Sequence, residues 1–175
     1  LGDQTTLKNV KSPLAIIIAP TRELALQVKS ELNWLYASAN ALIASCVGGM
    51  DIRSERRSLE KGAHIVVGTP GRLCDHINRK SLDLSNIKAL VLDEADEMLN
   101  MGFREELEMI LKASATDRRT LMFSATVPKI IVKLAKRYQR DAVRVNVSSD
   151  QEQHRDIEYC AYTVSNNERE NAIIN

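Results

Sequence analysis

Ala89-Leu90-Val91-Leu92-Asp93-Glu94-Ala95-Asp96 joins a short apolar run directly to three carboxylates. The apolar run predicts a strand buried on both faces of a sheet. Two adjacent carboxylates at the end of such a strand are the arrangement with which nucleoside-triphosphatases hold hydrated Mg²⁺ and activate water. The alternative is an acidic helix N-terminus, because carboxylates favour the positive end of the helix dipole.

Other short apolar runs alternate with amphipathic segments along the chain. One segment places Leu24, Val28, Leu32 and Leu35 at intervals of three and four, which predicts one apolar helix face. The runs are rich in Ile, Val and Leu and hardly alternate with polar residues, as expected of strands buried on both faces. This pattern predicts an α/β fold, a doubly wound parallel sheet with helices on both faces. The candidate strands are residues 14–19, 42–47, 64–67, 87–92, 120–123 and 142–147.

The bulk composition restricts the class of protein. The 175 residues are 44% hydrophobic and 27% charged, with a net charge of +1, so any nucleic-acid surface must be local. Three widely spaced cysteines predict reduced thiols in a cytosolic protein rather than disulfides or a zinc site; they are Cys46, Cys74 and Cys160. The scattered histidines predict ordinary core or surface positions; they are His64, His76 and His154. No apolar stretch reaches the ~20 residues needed to cross a membrane.

A change in composition divides the chain. Residues 148–156 are polar and lack periodicity, which predicts a linker. We therefore expect a first domain over residues 1–147 and the start of a second domain over residues 157–175. Residues 1–11 do not resemble a signal peptide and lack an initiator Met, which suggests a fragment of a longer protein.

Small, polar or Gly-rich groups follow five of the predicted strands. In a parallel sheet these strand ends share one edge, which is where ligands bind. A Gly pair allows a backbone to approach a ligand closely, and a helix capped by Thr offers backbone donors to phosphate. Taken alone, the Gly pair is equally well explained by a tight turn, and each Thr-containing group with Arg by a helix cap with a solvated Arg. The groups are Pro20-Thr21-Arg22, Gly48-Gly49, Thr69-Pro70-Gly71-Arg72, Asp93-Glu94 and Ser124-Ala125-Thr126.

In this order, the five groups resemble the motifs of the DEAD-box family of ATP-dependent RNA helicases. The segment from Pro20 to Ala25 is similar to motif Ia, Gly48-Gly49 to the GG motif, and Thr69 to Arg72 to motif Ib. The segments Asp93-Glu94-Ala95-Asp96 and Ser124-Ala125-Thr126 are similar to motifs II and III. Asp96 in place of His distinguishes the chain from the DEAH relatives. The resemblance covers nearly the whole chain and implies a RecA-like domain.

The resemblance also implies roles for these residues. Asp93 would hold Mg²⁺ through water, and Glu94 would deprotonate the water that attacks the γ-phosphate of ATP. Asp96 would bond to Ser124 or Thr126 and couple the ATP site to RNA. A second RecA-like domain would close on ATP and on RNA, which is bound without regard to sequence. The backbone of the RNA would be held by Pro20, Thr21, Arg22, Gly48, Gly49, Thr69, Pro70, Gly71 and Arg72.

One family element does not occur in the sequence. No Gly-x-x-x-x-Gly-Lys-[Ser/Thr] P-loop is present, so we expect this chain alone to be catalytically incomplete. The P-loop strand is normally central in the family's sheet, and without it we expect two buried strands to lack a partner. An alternative function is a non-catalytic RNA-binding or protein-interaction module. A weaker alternative is a P-loop ATPase that acts on DNA.

The basic residues of a predicted helix after Pro128 allow two explanations. They could form an auxiliary surface for RNA or a partner, but a solvated helix face is the favoured explanation. These residues are Lys129, Lys133, Lys136, Arg137 and Arg140.

Overall fold

The computed structural model describes Leu7, residues 10–146, residues 163–168 and Ala172. The chain divides into two compact units, Leu1–Asp141 and Ala142–Asn175. The described part of the first unit contains five strands: β1 Ala15–Ile18, β2 Ile43–Cys46, β3 Ile65–Gly68, β4 Ala89–Leu92 and β5 Arg119–Met122. Six α-helices connect and follow them: α1 Arg22–Leu35, α2 Ile52–Glu60, α3 Pro70–Asn78, α4 Ala95–Asn100, α5 Arg104–Ala113 and α6 Lys129–Tyr138.

The five strands form one parallel sheet in the order β2-β3-β1-β4-β5. β1 lies at the centre, where Ile17 pairs with Val67 of β3 and with Val91 of β4. The chain first builds outward from β1 to β2, returns through β3, and then crosses to β4 and β5. The doubly wound parallel sheet predicted from the sequence is therefore confirmed.

Alternate residues of the strands lie in two separate hydrophobic cores, one on each face of the sheet. Ile16 and Ile18 face the larger core, which also contains Leu73 of α3 and Leu107 of α5. Each fully buried Leu or Ile of this kind contributes about 1.5–3 kcal/mol to folding. Ile17 lies in the smaller core on the opposite face of the sheet. Helices thus cover both faces, as predicted.

The smaller core is covered by α1. Leu24, Val28 and Leu32 pack against it, as their spacing predicted. Leu35 does not belong to this face, because its side chain is 59% exposed near the C-terminal end of the helix. On the same side of the sheet Val91 of β4 is only partly buried.

The expectation that two strands lack a partner stays a prediction: β2 and β5 are the edge strands, and each pairs with one neighbour among the described strands. Another sequence-based expectation is wrong within the described residues. Residues 142–146 form no strand, although Ala142-Val143-Arg144-Val145-Asn146 has strand-like composition. Val143 and Val145 are 86% and 79% exposed, so the segment lacks the burial that stabilises a strand.

The remaining predictions fall mainly outside the described residues. The linker predicted at 148–156 and most of the second domain expected at 157–175 lie there. Within the second unit, Asn166–Glu168 form a 3₁₀ turn, and Thr163 and Val164 have no regular structure. None of the described helices has the length and apolar character needed to cross a membrane.

Gly68 offers a test of how tightly β3 packs. A Cβ at this position would overlap the carbonyl oxygen of Cys46 and lie 2.8 Å from Cδ2 of Leu73. We expect Gly68→Ala to lower the free energy of unfolding by about 1–3 kcal/mol, because overpacking forces neighbours to move. Gly71→Ala is the matched control, since nothing lies within 4 Å of a Cβ there. Urea unfolding of both variants measures the effect, and equal stability would contradict the packing assignment.

Candidate functional site

The strand order sorts the predicted site residues into two groups along one edge of the sheet. The carboxyl ends of β2, β3 and β1 are neighbours and lead into Gly48-Gly49, Thr69 and Thr21. The ends of β4 and β5 are neighbours and lead into Asp93 and Ser124. Along this edge the motifs follow one another in the spatial order GG, Ib, Ia, II and III. We call the first three the three-motif group and the last two the two-motif group.

Glu94 has an unusual backbone at the end of β4. Its φ and ψ are 47° and 53°, which places a non-Gly residue in the left-handed region as the N-cap of α4. Asp93 lies beside it, and its Oδ1 accepts a hydrogen bond from the Glu94 N–H at 3.1 Å. Left-handed backbone at a non-Gly residue costs about 1–3 kcal/mol and tends to persist at functional sites. Asp93 is half-buried and Glu94 is exposed, so both carboxylates are accessible.

Asp96 joins motifs II and III through hydrogen bonds. Its Oδ2 accepts from the Thr126 hydroxyl at 2.7 Å and from the Thr126 N–H at 2.8 Å. Its own N–H donates to Ser124 Oγ at 3.2 Å, and the Ser124 hydroxyl donates to the Thr126 carbonyl at 2.6 Å. The contact that the resemblance implied is present, through both Ser124 and Thr126. Its coupling role stays a prediction.

These bonds change the acidity of Asp96. Burial alone would raise the pKa of its carboxyl group. The hydrogen bonds from Thr126, with a further one from Ser124, favour the charged form more strongly and lower the pKa to about 2. The Asp96 carboxyl group is therefore ionised near neutral pH, and in that form it can only accept hydrogen bonds.

Motif Ia and the GG motif touch each other. Thr21 caps α1, and its Oγ1 accepts from the Leu24 N–H at 3.3 Å. A Cβ at Gly49, which has a φ of +78°, would lie 3.1 Å from Nη1 of Arg22, so the exposed Arg22 guanidinium lies against the glycine loop. Gly48 is exposed as well, whereas Pro20 is buried and shapes the backbone.

Motif Ib begins α3. Thr69 occupies the N-cap position, but its side chain makes no capping hydrogen bond, unlike that of Thr21. Pro70 is buried in the first turn, and Gly71 is exposed. Arg72 does not extend into solvent: its side chain is 14% exposed, and Nη1 donates to the Met50 carbonyl at 3.1 Å.

The same Arg72 nitrogen pairs with Glu55, a residue that the sequence analysis did not single out. Glu55 Oε2 lies 2.9 Å from Arg72 Nη1 and 2.8 Å from His76 Nε2. Glu55 Oε1 accepts from the Val47 N–H at 2.9 Å. A sequence signal did exist, because Glu55 lies between Ile52 and Leu59 on the apolar face of α2, where a carboxylate must find partners.

Cys46, Glu55 and His76 also bring three potential metal-ligand atoms within 4.8 Å of one another. The Arg72 guanidinium already neutralises the Glu55 carboxylate at this point and would repel a cation. Burial, reinforced by the charge of Glu55, raises the pKa of Cys46 to about 12, so its thiolate is disfavoured. The cluster is better described as a satisfied ion-pair network than as a metal centre.

Comparison with known proteins agrees with the motif assignment. Residues 3–134 match the model of the DEAD/DEAH box helicase family. The chain is 48% identical over 143 residues to the DEAD-box ATP-dependent RNA helicase CshA of Bacillus licheniformis, covering 81% of this chain and 29% of that protein. It is 54% identical over 127 residues to a probable ATP-dependent RNA helicase of Methanocaldococcus jannaschii, covering 73% of this chain and 34% of the relative.

A solved structure is similar in fold. The crystal structure of a DEAD box protein from the hyperthermophile Methanococcus jannaschii superposes with a TM-score of 0.71 at 52% identity, over 74% of this chain and 36% of that one. The fold and its site thus define a RecA-like helicase domain. The chain belongs to the DEAD/DEAH box helicase family. It spans about a third or less of the length of these relatives.

The Asp96 bonds predict a pH dependence of stability. Because the folded pKa lies below the usual 3.8, the charged carboxylate stabilises the fold above about pH 4, and this stabilisation is lost as pH falls towards about 2. We expect Asp96→Asn to lose on the order of 1–2 kcal/mol near neutral pH and to approach wild type in acid. Urea unfolding from about pH 2 to 7 measures this, with Glu97→Gln as control. Parallel pH profiles for wild type and Asp96→Asn would contradict it.

Proposed function

We propose that this chain is most of the first RecA-like domain of an ATP-dependent RNA helicase, which binds the RNA backbone and couples ATP hydrolysis to local unwinding of a duplex. The observation that carries the proposal is the sorting of the five motifs along one sheet edge. Motifs Ia, GG and Ib lie together at β1, β2 and β3, and motifs II and III lie together at β4 and β5. The names of the similar helicases support the same activity.

We place RNA along the three-motif group. Thr21, Arg22, Gly48, Gly49 and Thr69 are at least partly accessible there. Hydroxyl groups, backbone N–H groups and a guanidinium are suited to phosphate and sugar contacts, which position a strand without reading its sequence. Gly71 and Arg72 complete the group, and the buried Pro20 and Pro70 fix its backbone.

We place the phosphates of ATP at the two-motif group. Asp93 and Glu94 present adjacent accessible carboxylates, and carboxylate oxygens are ligands that Mg²⁺ accepts together with water and phosphate. Asp93 would hold the ion, which supplies charge neutralisation at the phosphates. Glu94 would accept the proton of the attacking water. Asp96, Ser124 and Thr126 would transmit the state of this site towards bound RNA.

The remaining parts of such an enzyme lie outside these motifs. The triphosphate also requires a P-loop, which the sequence of this chain does not contain. We therefore assign turnover to a longer protein with a second RecA-like domain, and a cytosolic location to that protein. If no P-loop accompanies the chain, the accessible three-motif group favours the alternative function, a non-catalytic RNA-binding module.

The chemistry is tested in the longer protein to which we assign this chain. We expect Glu94→Gln to keep ATP and RNA binding but to lower RNA-stimulated phosphate release by about 10²–10⁴-fold, because the general base is lost. Glu97→Gln, an exposed carboxylate on the same helix, is the control and should keep its turnover. Phosphate release within about tenfold of wild type in Glu94→Gln would remove Glu94 from the role of general base.

RNA binding is tested with the chain itself. We expect Arg22→Gln to weaken binding of single-stranded RNA and to reduce the log–log salt slope by about 0.7, the loss of one phosphate contact. The loss should be equal for oligouridine and oligoadenine. Lys88→Gln is the control, because this exposed lysine lies at the opposite edge, before β4. Fluorescence anisotropy at several salt concentrations measures both quantities, and a changed base preference would argue against backbone recognition.

A further inference from the structure

We infer that Glu55 is a positioning residue for RNA binding, which holds the Gly48-Gly49 loop against motif Ib. The inference rests on the proposed RNA-binding function of this edge of the sheet. Glu55 itself is 4% exposed and cannot reach a ligand in solvent, so any effect on RNA must pass through the residues that it holds.

Glu55 and Arg72 hold the residues at both ends of the Gly48-Gly49 loop, and we call this set of contacts the clamp. Val47 directly precedes Gly48, and its N–H donates to Glu55 Oε1 at 2.9 Å. Met50 directly follows Gly49, and its carbonyl accepts from Arg72 Nη1 at 3.1 Å. The same Nη1 lies 2.9 Å from Glu55 Oε2, so one buried ion pair anchors the residue before the loop and the residue after it.

The clamp also includes the helix of motif Ib. Arg72 is in the first turn of α3, and His76 is one turn further along. His76 Nε2 donates to Glu55 Oε2 at 2.8 Å, and its Nδ1 lies 2.8 Å from Ser81 Oγ. Glu55 therefore accepts three hydrogen bonds. One comes from the Val47 N–H after β2, and two come from the Arg72 and His76 side chains of α3.

The electrostatics favour a carboxylate that stays ionised. Burial would raise the pKa of Glu55, but the hydrogen bonds from His76 and Val47 and the charge of Arg72 outweigh it and lower the pKa. A buried ion pair of this kind gives little net stability but fixes the geometry of the groups it joins. Glycines at two successive positions have the greatest backbone freedom, so the loop needs such support to hold one conformation.

The assignment changes the role of Arg72. Its Nη1 is shared between Met50 and Glu55, and the side chain is mostly buried. Arg72 therefore acts mainly through the position of the loop, whereas the exposed Arg22 supplies the charge that faces phosphate. The two arginines should differ in salt dependence, since only a direct phosphate contact changes the salt slope.

The test is Glu55→Gln in the chain as it stands. Gln keeps the shape and can still accept from Val47, but its amide nitrogen cannot accept from Arg72 and His76. The control is Glu60→Gln, an exposed carboxylate on the same helix that pairs only with Arg56 among the described residues. Two quantities are measured: amide hydrogen exchange at residues 47–50, and anisotropy of a labelled oligouridine of about ten nucleotides.

We expect faster exchange at Val47, whose N–H donates to Glu55, and about tenfold weaker RNA binding in Glu55→Gln, with an unchanged salt slope. Loss of a supporting residue behind a ligand typically costs 10–100-fold in affinity at metal sites, which sets the scale. Arg72→Gln should behave in the same way, and Glu60→Gln should resemble wild type. If Glu55→Gln fails to fold, Glu55→Asp keeps the charge for Arg72 but shortens the reach, and the same two measurements decide.

The outcomes separate this inference from the proposed function. Unchanged exchange at Val47 would overturn the clamp, whatever the RNA result. Faster exchange with wild-type RNA affinity would overturn the positioning role. A smaller salt slope for Arg72→Gln would return Arg72 to direct phosphate contact. Wild-type chain that binds no RNA would overturn the proposed function and the RNA role of Glu55 together, while the exchange data would still report on the clamp.

Discussion

Parallel pairing of β1 with both β3 and β4 is the constraint on which the site depends. Ile17 of the central strand pairs with Val67 on one side and Val91 on the other. Because all strands run in the same direction, every carboxyl end lies at one edge, and the order of strands alone decides which motifs become neighbours. Placing β1 between the two halves puts Thr21 beside Thr69 on one side and Asp93 on the other.

Two different networks then fix the two halves of the edge. On one side Asp96, Ser124 and Thr126 form a partly exposed set of hydrogen bonds between the ends of β4 and β5. On the other side Glu55 and Arg72 form a buried ion pair between the end of β2 and α3. The first network is partly accessible to solvent at Ser124 and Thr126, whereas the second is enclosed around the buried Glu55. This contrast suits the proposed function, in which one half couples the ATP site to RNA and the other holds the RNA strand.

The sequence predicted the fold and the groups that follow the strands at one edge of the sheet, because both depend on local patterns. Unalternating runs such as Ala89 to Leu92 mark strands buried on both faces, and the polar groups that follow them mark the functional edge. The strand predicted over 142–147 failed because composition cannot reveal whether Val143 and Val145 are covered. The order β2-β3-β1-β4-β5 was not predicted, because strand pairing depends on contacts between distant parts of the chain, which local patterns do not reveal.

The role of Glu55 was beyond sequence reasoning for a related reason. Its partners are separated along the chain: Val47 by eight residues, Arg72 by seventeen and His76 by twenty-one. A helix pattern shows that a carboxylate occupies the apolar face of α2, but not which donors satisfy it. Arg72, read from sequence as a phosphate ligand, has its Nη1 bonded inside the protein to Met50 and Glu55. The glycine loop contributes backbone freedom and the buried ion pair restricts it, so in our proposal the RNA interface depends on Glu55, a residue that is itself buried.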